Sequence, residues 1–287
     1  MKTSTEIASI AHLTGEEKAV EFCAKAGFDA WDFSMFAMCR FDWATETLLP
    51  STHPLSGSNY AAFAKQLRKI GEDNGIHCNQ SHAPFPNYVP QIRDHMKRAI
   101  ECTAIAGGKI CVIHPCNDFS AQHNTEMYME LLPFAKEHGV KIATENMWDW
   151  QEGADHSSFA ACATSESFLE HLHMVNDPDF VACLDLGHAE MRGSGDGAPN
   201  MIRALGHHLQ ALHIHDNDLL NDSHALPFTM KMDFEAIVRA LREINYQGYF
   251  TMEADQHMNG YTKENAFEGV KKLADTARKL ADMFEGK

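Results

Sequence analysis

The stretch Ala182-Cys183-Leu184-Asp185-Leu186-Gly187-His188 is an apolar run that ends in a carboxylate and is followed, three residues later, by an imidazole. Short apolar runs of this kind are typical of buried strands. Asp, Glu and His side chains are seldom buried unless they are paired or bound to a ligand. The stretch therefore predicts a buried strand whose carboxyl end delivers polar groups to a binding partner.

The rest of the chain repeats this unit of an apolar strand and a helix. Glycines that end helices, such as Gly27, Gly75, Gly139 and Gly248, separate eight strand–helix units without a linker or a break in composition. Repeated units of this type indicate a parallel sheet, and eight of them indicate closure into a barrel. We therefore expect an α/β fold, a (β/α)8 TIM barrel, in a single domain over residues 1–287. An open doubly wound sheet is the alternative, but the sequence has no Gly-x-Gly-x-x-Gly nucleotide turn.

Loop lengths indicate which end of the barrel carries the site. The helix-to-strand turns are short, whereas the strand-to-helix segments at residues 40–57, 146–164, 189–200 and 216–232 are long. Long loops in a compact domain are usually functional. We expect the first strand over residues 4–10, and we expect the third and fourth strands to lead into His82 and His114. The site should therefore lie at the carboxyl ends of the strands.

Four strand ends carry a candidate metal site. Besides Asp185, three apolar runs lead to Glu145, His215 and Glu253, which by the count end strands five, seven and eight. Neighbouring strands of a parallel sheet lie about 4.8 Å apart, so these ends can converge on one ion. Three carboxylates and an imidazole form a hard donor set that suits Mn, Mg or Co, with Zn as a further possibility. We expect these four residues to bind one divalent metal ion.

Charge and composition exclude several classes of partner. The formal net charge of −16 repels polyanions, so we expect neither nucleic acid nor anionic membranes to bind. The start of the chain lacks the apolar core of a signal peptide, which favours a cytoplasmic location. The eight cysteines form no Cys-x-x-Cys pair and several lie in apolar strands, so we interpret them as reduced core thiols.

Four motifs resemble those of a known family. Glu145-Asn146, Asp185-Leu186-Gly187-His188, the segment at residues 213–218 and Met252-Glu253 look like the motifs of the xylose isomerase-like TIM barrel superfamily. The nearest group within it is the sugar phosphate isomerase/epimerase group, which includes the ketose 3-epimerases. The resemblance covers essentially the whole chain. It implies one divalent ion on the four residues named above and a substrate contact from His188.

The choice of histidine in strand seven rests on this resemblance. His213 and His215 lie on the same face of a strand because side chains alternate with a period of two, so geometry alone does not decide between them. The family pattern, as we align it, favours His215 as the ligand and leaves His213 as a deeper core or supporting histidine.

The resemblance also implies a reaction. A metal-dependent sugar isomerase or epimerase acts on a ketose or related sugar through an enediolate, and residues that match Glu145 and Glu253 transfer the protons. His82, His114, His224 and Trp148 are further candidates for substrate binding, since they follow strand ends or lie in the long loops. An aromatic ring such as Trp148 can stack on the apolar face of a sugar.

Departures from the pattern keep alternatives open. The ketose 3-epimerases carry Arg six residues after the ligand histidine, where this chain has Asn221 counted from His215. A lyase or dehydratase on the same barrel would use the same chemistry with loss of a leaving group. An endonuclease-like hydrolase with three zinc ions would use a pattern that His82, His114, the Asp-x-x-His at residues 185–188 and the Asp-x-His at residues 222–224 mimic, but the net charge argues against a DNA substrate. A non-catalytic sugar-binding protein is a third reading.

The loops show no evident phosphate clamp, which favours an unphosphorylated small-molecule sugar as the substrate. The resemblance also suggests a homo-oligomer.

Overall fold

Eight parallel strands form the centre of the molecule. The computed structural model describes residues 1–42, 44–89, 91–150 and 152–287. The strands are β1 Thr3–Thr5, β2 Ala30–Ser34, β3 His77–His82, β4 Ile110–Val112, β5 Lys141–Glu145, β6 Phe180–Asp185, β7 Leu209–His213 and β8 Phe250–Met252.

The strands close into a ring in chain order. Consecutive strands from β2 to β7 pair in parallel, and β1 pairs in parallel with β8. Single parallel bridges, Glu6 with Asp32 and Ile214 with Met252, link β1 to β2 and β7 to β8. Because every strand has two neighbours, the sheet has no open edge, and the predicted (β/α)8 TIM barrel is confirmed.

Helices surround the barrel. They are Ala8–Thr14, Glu16–Ala26, Tyr60–Asp73, Ile92–Ala106, Ala121–Glu137, Ser165–Val175, Leu186–Glu190, Ala198–Leu205, Phe234–Glu243 and Ala266–Glu285. Short 3-10 turns lie at Phe36–Met38, Pro54–Ser56, Gly206–His208 and Asp255–Gly260. Among the described residues, no helix combines the length and the apolar character needed to cross a membrane.

The apolar periodicity of the helices creates the main core. In the helix Phe234–Glu243, the buried residues Phe234, Ile237, Val238 and Leu241 follow the spacing of one helical face. This face packs in a continuous layer of buried residues between barrel and helices. A second, smaller cluster fills the inside of the barrel and comprises Val112, Ala143, Val181, Cys183 and Ala211. The inside of the ring is therefore packed below the level at which the strands end.

The beginning of the chain differs from the prediction. The first strand ends at Thr5, and a helix begins at Ala8 inside the segment expected to be extended. The Glu6 carboxylate accepts hydrogen bonds from the Ser9 backbone N–H at 3.1 Å and from the Ser9 hydroxyl. A carboxylate that satisfies a free N–H in the first turn stabilises the start of a helix. The prediction of a strand over residues 4–10 was therefore wrong beyond its first residues.

Two further elements were not predicted. Arg40–Asp42 and Thr47–Leu49 form an antiparallel hairpin in the loop after β2. The helix Leu186–Glu190 begins directly after β6, where Asp185 accepts a hydrogen bond from the His188 N–H at 2.7 Å as the N-cap. The predicted contrast between short and long loops holds, since the long segments follow the carboxyl ends of the strands.

Candidate metal centre

The carboxyl ends of β5, β6, β7 and β8 bring four side chains together. Glu145, Asp185, His213 and Glu253 each offer one oxygen or nitrogen atom, and these four atoms all lie within 4.8 Å of one another. Each of the four residues is buried. His213 Nδ1 lies 2.7 Å from Glu145 Oε1 and 3.3 Å from Glu253 Oε2. The three predicted carboxylates thus meet one imidazole at the barrel mouth.

The imidazole in this group belongs to His213, whereas the sequence predicted His215 as the metal ligand. Strand β7 ends at His213, so this side chain points into the ring of strand ends. His215 lies two residues beyond the strand, and its Nε2 is 3.0 Å from Asp185 Oδ1. His215 thus contacts Asp185, but it does not form a group of potential ligands with Glu145 and Glu253. We therefore assign His213 to the four-residue set.

The donor set fits a divalent cation. Asp185 Oδ2 is fully buried and accepts no hydrogen bond among the described residues, and Glu145 Oε2 accepts none of good geometry. Buried carboxylate oxygens without a partner are costly unless a positive charge faces them. Three carboxylates and one imidazole also match the preferences of hard or borderline divalent ions.

Two more donor groups adjoin this one. The first consists of His82 and His114, which end β3 and follow β4, together with Glu145. The Nε2 atoms of the two histidines lie 2.8 Å apart, and they lie 3.4 and 3.2 Å from Glu145 Oε2. Glu145 therefore belongs to both groups. Both histidines, which the sequence predicted as substrate contacts and, in the hydrolase alternative, as part of a zinc site, thus lie within ligand reach of a shared carboxylate.

The second adjoining group lies on the other side of Asp185. It contains His188, His215, Asp222 and His224. Asp222 Oδ2 lies 3.4 Å from His188 Nε2 and 3.1 Å from His224 Nε2. The rings of His215 and His224 stack with centroids 4.0 Å apart. The predicted site residues His188 and His224 thus lie together, and they are joined by Asp222, which the sequence had pointed to only in the hydrolase alternative.

The pKa values of Glu145 and Glu253 are shifted in opposite directions. Burial raises the pKa of Glu145, but the imidazoles of His213, His114 and His82 outweigh it and hold this pKa well below its usual value. Burial and the charge of Glu145 raise the pKa of Glu253 well above its ordinary value. The two carboxylates at opposite ends of the four-strand arc therefore have environments that move their pKa values apart.

The pKa values of His188 and His114 are also shifted in opposite directions. Burial lowers the pKa of His188, but Asp185 and Asp222 outweigh it and raise this pKa to about 10. Burial and the neighbouring His82 lower the pKa of His114 to about 4. One imidazole is thus held as a cation between two carboxylates, and the other is held neutral, which is the form that ligates a metal.

A cavity of about 530 Å³ opens above the three groups. Glu145, Glu253, His82, His114, His188 and His224 contribute to its lining. The lining also contains apolar and aromatic residues, namely Phe36, Phe85, Pro86, Tyr88, Pro115, Met147 and Trp148. The predicted residue Trp148 is held in this lining by a hydrogen bond from its Nε1 to Asp222 Oδ2 at 3.1 Å.

The lining of this cavity is acidic. Its described lining residues include Asp118, Asp149, Asp222 and Asp255 besides the two glutamates, and no Lys or Arg. A phosphate group would meet no Lys or Arg side chain among these residues. The cavity therefore favours an uncharged ligand with both polar oxygens and an apolar face.

Comparisons with known proteins agree with this architecture. An uncharacterized protein of Methanocaldococcus jannaschii is 24% identical over 253 residues, which cover 82% of this chain and 78% of that protein. The structure of the IolI protein with a binding zinc atom superposes with a TM-score of 0.74 at 19% identity and covers 99% of both chains.

A D-psicose 3-epimerase from Clostridium cellulolyticum H10, solved with D-tagatose, superposes with a TM-score of 0.70 at 16% identity, over 98% of this chain and 99% of that chain. At such identities the two superpositions show a shared fold. The family model described as xylose isomerase-like TIM barrel matches residues 20–282. The chain belongs to the xylose isomerase-like TIM barrel family.

Proposed function

We propose that this protein is a metal-dependent sugar isomerase or epimerase, which moves a proton at a carbon next to a carbonyl group. The observation that carries the proposal is the set Glu145, Asp185, His213 and Glu253, whose donor atoms lie within 4.8 Å of one another at the floor of the cavity. The structural neighbours named above include a D-psicose 3-epimerase and a zinc-bound protein, which agrees with this chemistry.

A divalent cation held by these four residues would polarise the substrate carbonyl and stabilise negative charge on adjacent oxygens. The chain's own residues supply the proton transfers. Glu145 and Glu253 reach the cavity from β5 and β8, with two strands between them, so they meet a bound sugar from two sides. Two carboxylates on different sides of one carbon atom can remove its proton from one face and return a proton to the other.

The other cavity residues bind and orient the sugar. His188 is held by a hydrogen bond between its Nδ1 and the Asn146 carbonyl oxygen at 2.9 Å, which leaves Nε2 facing Asp222 and the cavity. Trp148, fixed by Asp222, offers a ring face for stacking on carbon atoms of the sugar. The absence of Lys and Arg from the described lining supports an unphosphorylated substrate.

Proton exchange from solvent tests the proposal. The purified protein, stripped of metal and then supplied with Mn²⁺, Mg²⁺, Co²⁺ or Zn²⁺, is incubated in D2O with a panel of ketoses, aldoses and inosose-like polyols. NMR should show deuterium at one carbon next to the carbonyl and the formation of an epimer or isomer, only with metal. Release of a fragment or of water from the sugar would indicate a lyase instead. A metal-loaded protein that exchanges no proton of any substrate would contradict the proposal.

A hydrolase that uses several cations is the second candidate. The observation that favours it is the pair of adjoining donor groups, one of which shares Glu145 with the central set. The acidic cavity argues against a nucleic-acid substrate for such an enzyme. Metal analysis by mass spectrometry separates the two candidates, since one tightly bound ion per chain supports the isomerase and three support the hydrolase.

A further inference from the structure

A buried carboxylate, Asp32, lies behind the candidate metal ligands. Asp32 lies in β2, is fully buried, and points into the barrel. Its only ion-pair contact among the described residues is His213, whose Nε2 lies 3.5 Å from Asp32 Oδ2. Both Asp32 Oδ1 and His213 Nε2 lack a hydrogen-bond partner of good geometry in the described structure. A carboxylate buried without Lys or Arg requires another partner.

A fixed amide holds Asp32 in place. Gln80 donates from Nε2 to Asp32 Oδ2 at 2.9 Å and to the Leu212 carbonyl oxygen at 3.4 Å. Its Oε1 accepts from Asn79 Nδ2 and from the Thr251 hydroxyl, both at 3.2 Å. These four contacts fix which end of the amide is the donor. Gln80 therefore always presents N–H groups to position 32 and requires an acceptor there.

The other ring nitrogen of His213 faces the candidate cation. Its Nδ1 lies 2.7 Å from Glu145 Oε1 and 3.3 Å from Glu253 Oε2. A neutral imidazole has one N–H donor and one lone pair, and the hydrogen bond at one nitrogen decides which form is present. Metal-binding histidines usually donate their second N–H to a carboxylate or a carbonyl oxygen.

We propose that Asp32 positions His213 for metal binding by holding the ring proton on Nε2, so that Nδ1 offers its lone pair to the cation. Gln80 supports this role because it keeps the Asp32 carboxylate in place. The inference depends on the cation of the proposed function, and it adds a residue from β2, outside the four strands that supply the ligands.

The substitution Asp32→Asn tests whether Asp32 holds the ring proton of His213 on Nε2. The new side chain has the same shape, and Gln80 keeps its oxygen at the place of Oδ2, so a neutral amide oxygen replaces the carboxylate as the acceptor that faces His213 Nε2. A neutral acceptor holds the Nε2 proton less strongly than a carboxylate does, so the ring form with the proton on Nδ1, which blocks the lone pair needed by the metal, becomes more populated. We expect the affinity for Co²⁺ or Zn²⁺ to fall about 10- to 100-fold, the range found for supporting partners of metal ligands.

The matched control is Asp29→Asn. Asp29 lies just before the same strand, and its carboxylate pairs with Arg278 at 2.9 Å near the surface. This control removes the same charge and leaves the surroundings of His213 unchanged. Dissociation constants are measured by competition with a chromophoric chelator, and the visible spectrum of bound Co²⁺ reports on the ligand geometry. The control should retain wild-type values in both measurements.

Three outcomes are distinguishable. Weaker binding by Asp32→Asn alone, with a changed Co²⁺ spectrum, supports the inference. Equal affinities in the wild type and Asp32→Asn overturn the inference but leave the proposed function intact. Failure of the wild type to bind any divalent cation overturns both.

A second measurement applies if Asp32→Asn does not fold. Histidine-selective ¹⁵N NMR of the Zn²⁺-loaded wild type, with the His213 signals assigned by comparison with His213→Gln, shows which ring nitrogen carries the proton. A proton on Nε2 supports the inference, and a proton on Nδ1 overturns it.

Discussion

Glu145 connects two of the three donor groups. One of its oxygens faces His213 at 2.7 Å, and the other faces His82 and His114 at 3.4 and 3.2 Å. A carboxylate surrounded by three imidazoles is held ionised, and it is therefore ready to accept a proton or to ligate a cation. Glu253 lies at the far side of His213, where burial and the charge of Glu145 raise its pKa. The two glutamates of this site therefore have pKa values that are shifted in opposite directions.

Substitution of either glutamate should abolish turnover. Glu145→Gln and Glu253→Gln keep the shape but remove the proton-transfer group, which is worth about 10²- to 10⁴-fold in rate. We expect kcat to fall by this amount in each variant while a metal ion is still bound, as measured by steady-state kinetics and metal analysis. Glu126→Gln, on the exposed face of a helix, is the control. Full activity of both site variants would refute the assignment.

Glu6 should make stability depend on pH. Burial raises the pKa of this carboxyl to about 7, against 4.5 for the unperturbed group. A carboxyl with a raised folded-state pKa binds more protons when folded, so its contribution is full below pH 4.5 and is lost as the pH rises to 7. Relative to Glu6→Gln, the wild type should lose up to about 3 kcal/mol of unfolding free energy between pH 4.5 and pH 8. Urea unfolding at both pH values measures this, and identical pH profiles would contradict it.

The strand ends show which parts of the site are readable from sequence. An apolar run that stops at Glu145 or Asp185 predicts both the strand and the direction of its last side chain, and both predictions agree with the structure. His213 and His215 share a face, so the period of two does not decide between them. His213, and not His215, reaches the group because β7 stops pairing with β6 at His213. The point at which this pairing stops depends on contacts between segments that are distant in the sequence.

Loops were the least predictable elements. Asp222 lies in a segment rich in Asn and Asp, where composition indicates only a solvated turn. In the structure it contacts His188, His215 and His224, which come from two different loops. The pattern Asp-x-His at residues 222–224 was the available signal. Its contacts with these histidines could not be predicted from the sequence, because they depend on how the barrel places the two loops side by side.

The turn after β6 tolerates no side chain at Gly187. A Cβ atom built there would lie 2.0 Å from His215 Cε1 and 2.3 Å from His215 Nε2. Gly187→Ala should push the His215 ring away from Asp185 and its stacking partner His224. Overpacking of this kind costs about 1–3 kcal/mol, so we expect a lower melting temperature and a higher KM.

The control for this variant is Gly57→Ala, because a Cβ at Gly57 meets nothing within 4 Å and the backbone φ of −96° suits any residue. Differential scanning calorimetry and kinetics on both variants provide the comparison. A Gly187→Ala protein as stable and active as the control would show that the loop relaxes freely.

At the scale of the whole molecule, the eight cysteines are all buried free thiols. Burial raises the pKa of Cys23, Cys162 and Cys183 above the ordinary thiol range, so thiolate is scarce. The native protein should react with Ellman's reagent only slowly, and eight thiols should appear once it is unfolded in guanidinium. Rapid labelling of a native cysteine would contradict the burial of the core.

The closed ring of strands explains why sequence predicts so much of this molecule. The strands are buried on both sides, so apolar runs such as those of β4 and β6 stand out, and closure places the carboxyl ends of the strands in one circle. The interior polar network of Asp32, Gln80 and Thr251 was not predicted, because strand-interior polar residues are ambiguous without knowledge of what faces them across the barrel.

The central claim is that Glu145, Asp185, His213 and Glu253 bind one cation together. Its most direct test is an anomalous difference map from a crystal of the Mn²⁺-loaded protein, recorded near the manganese edge. We expect a strong peak between the four side chains, with His213 Nδ1 and not His215 among the ligands. A map with no peak at this position, or with manganese bound only elsewhere on the molecule, would contradict it.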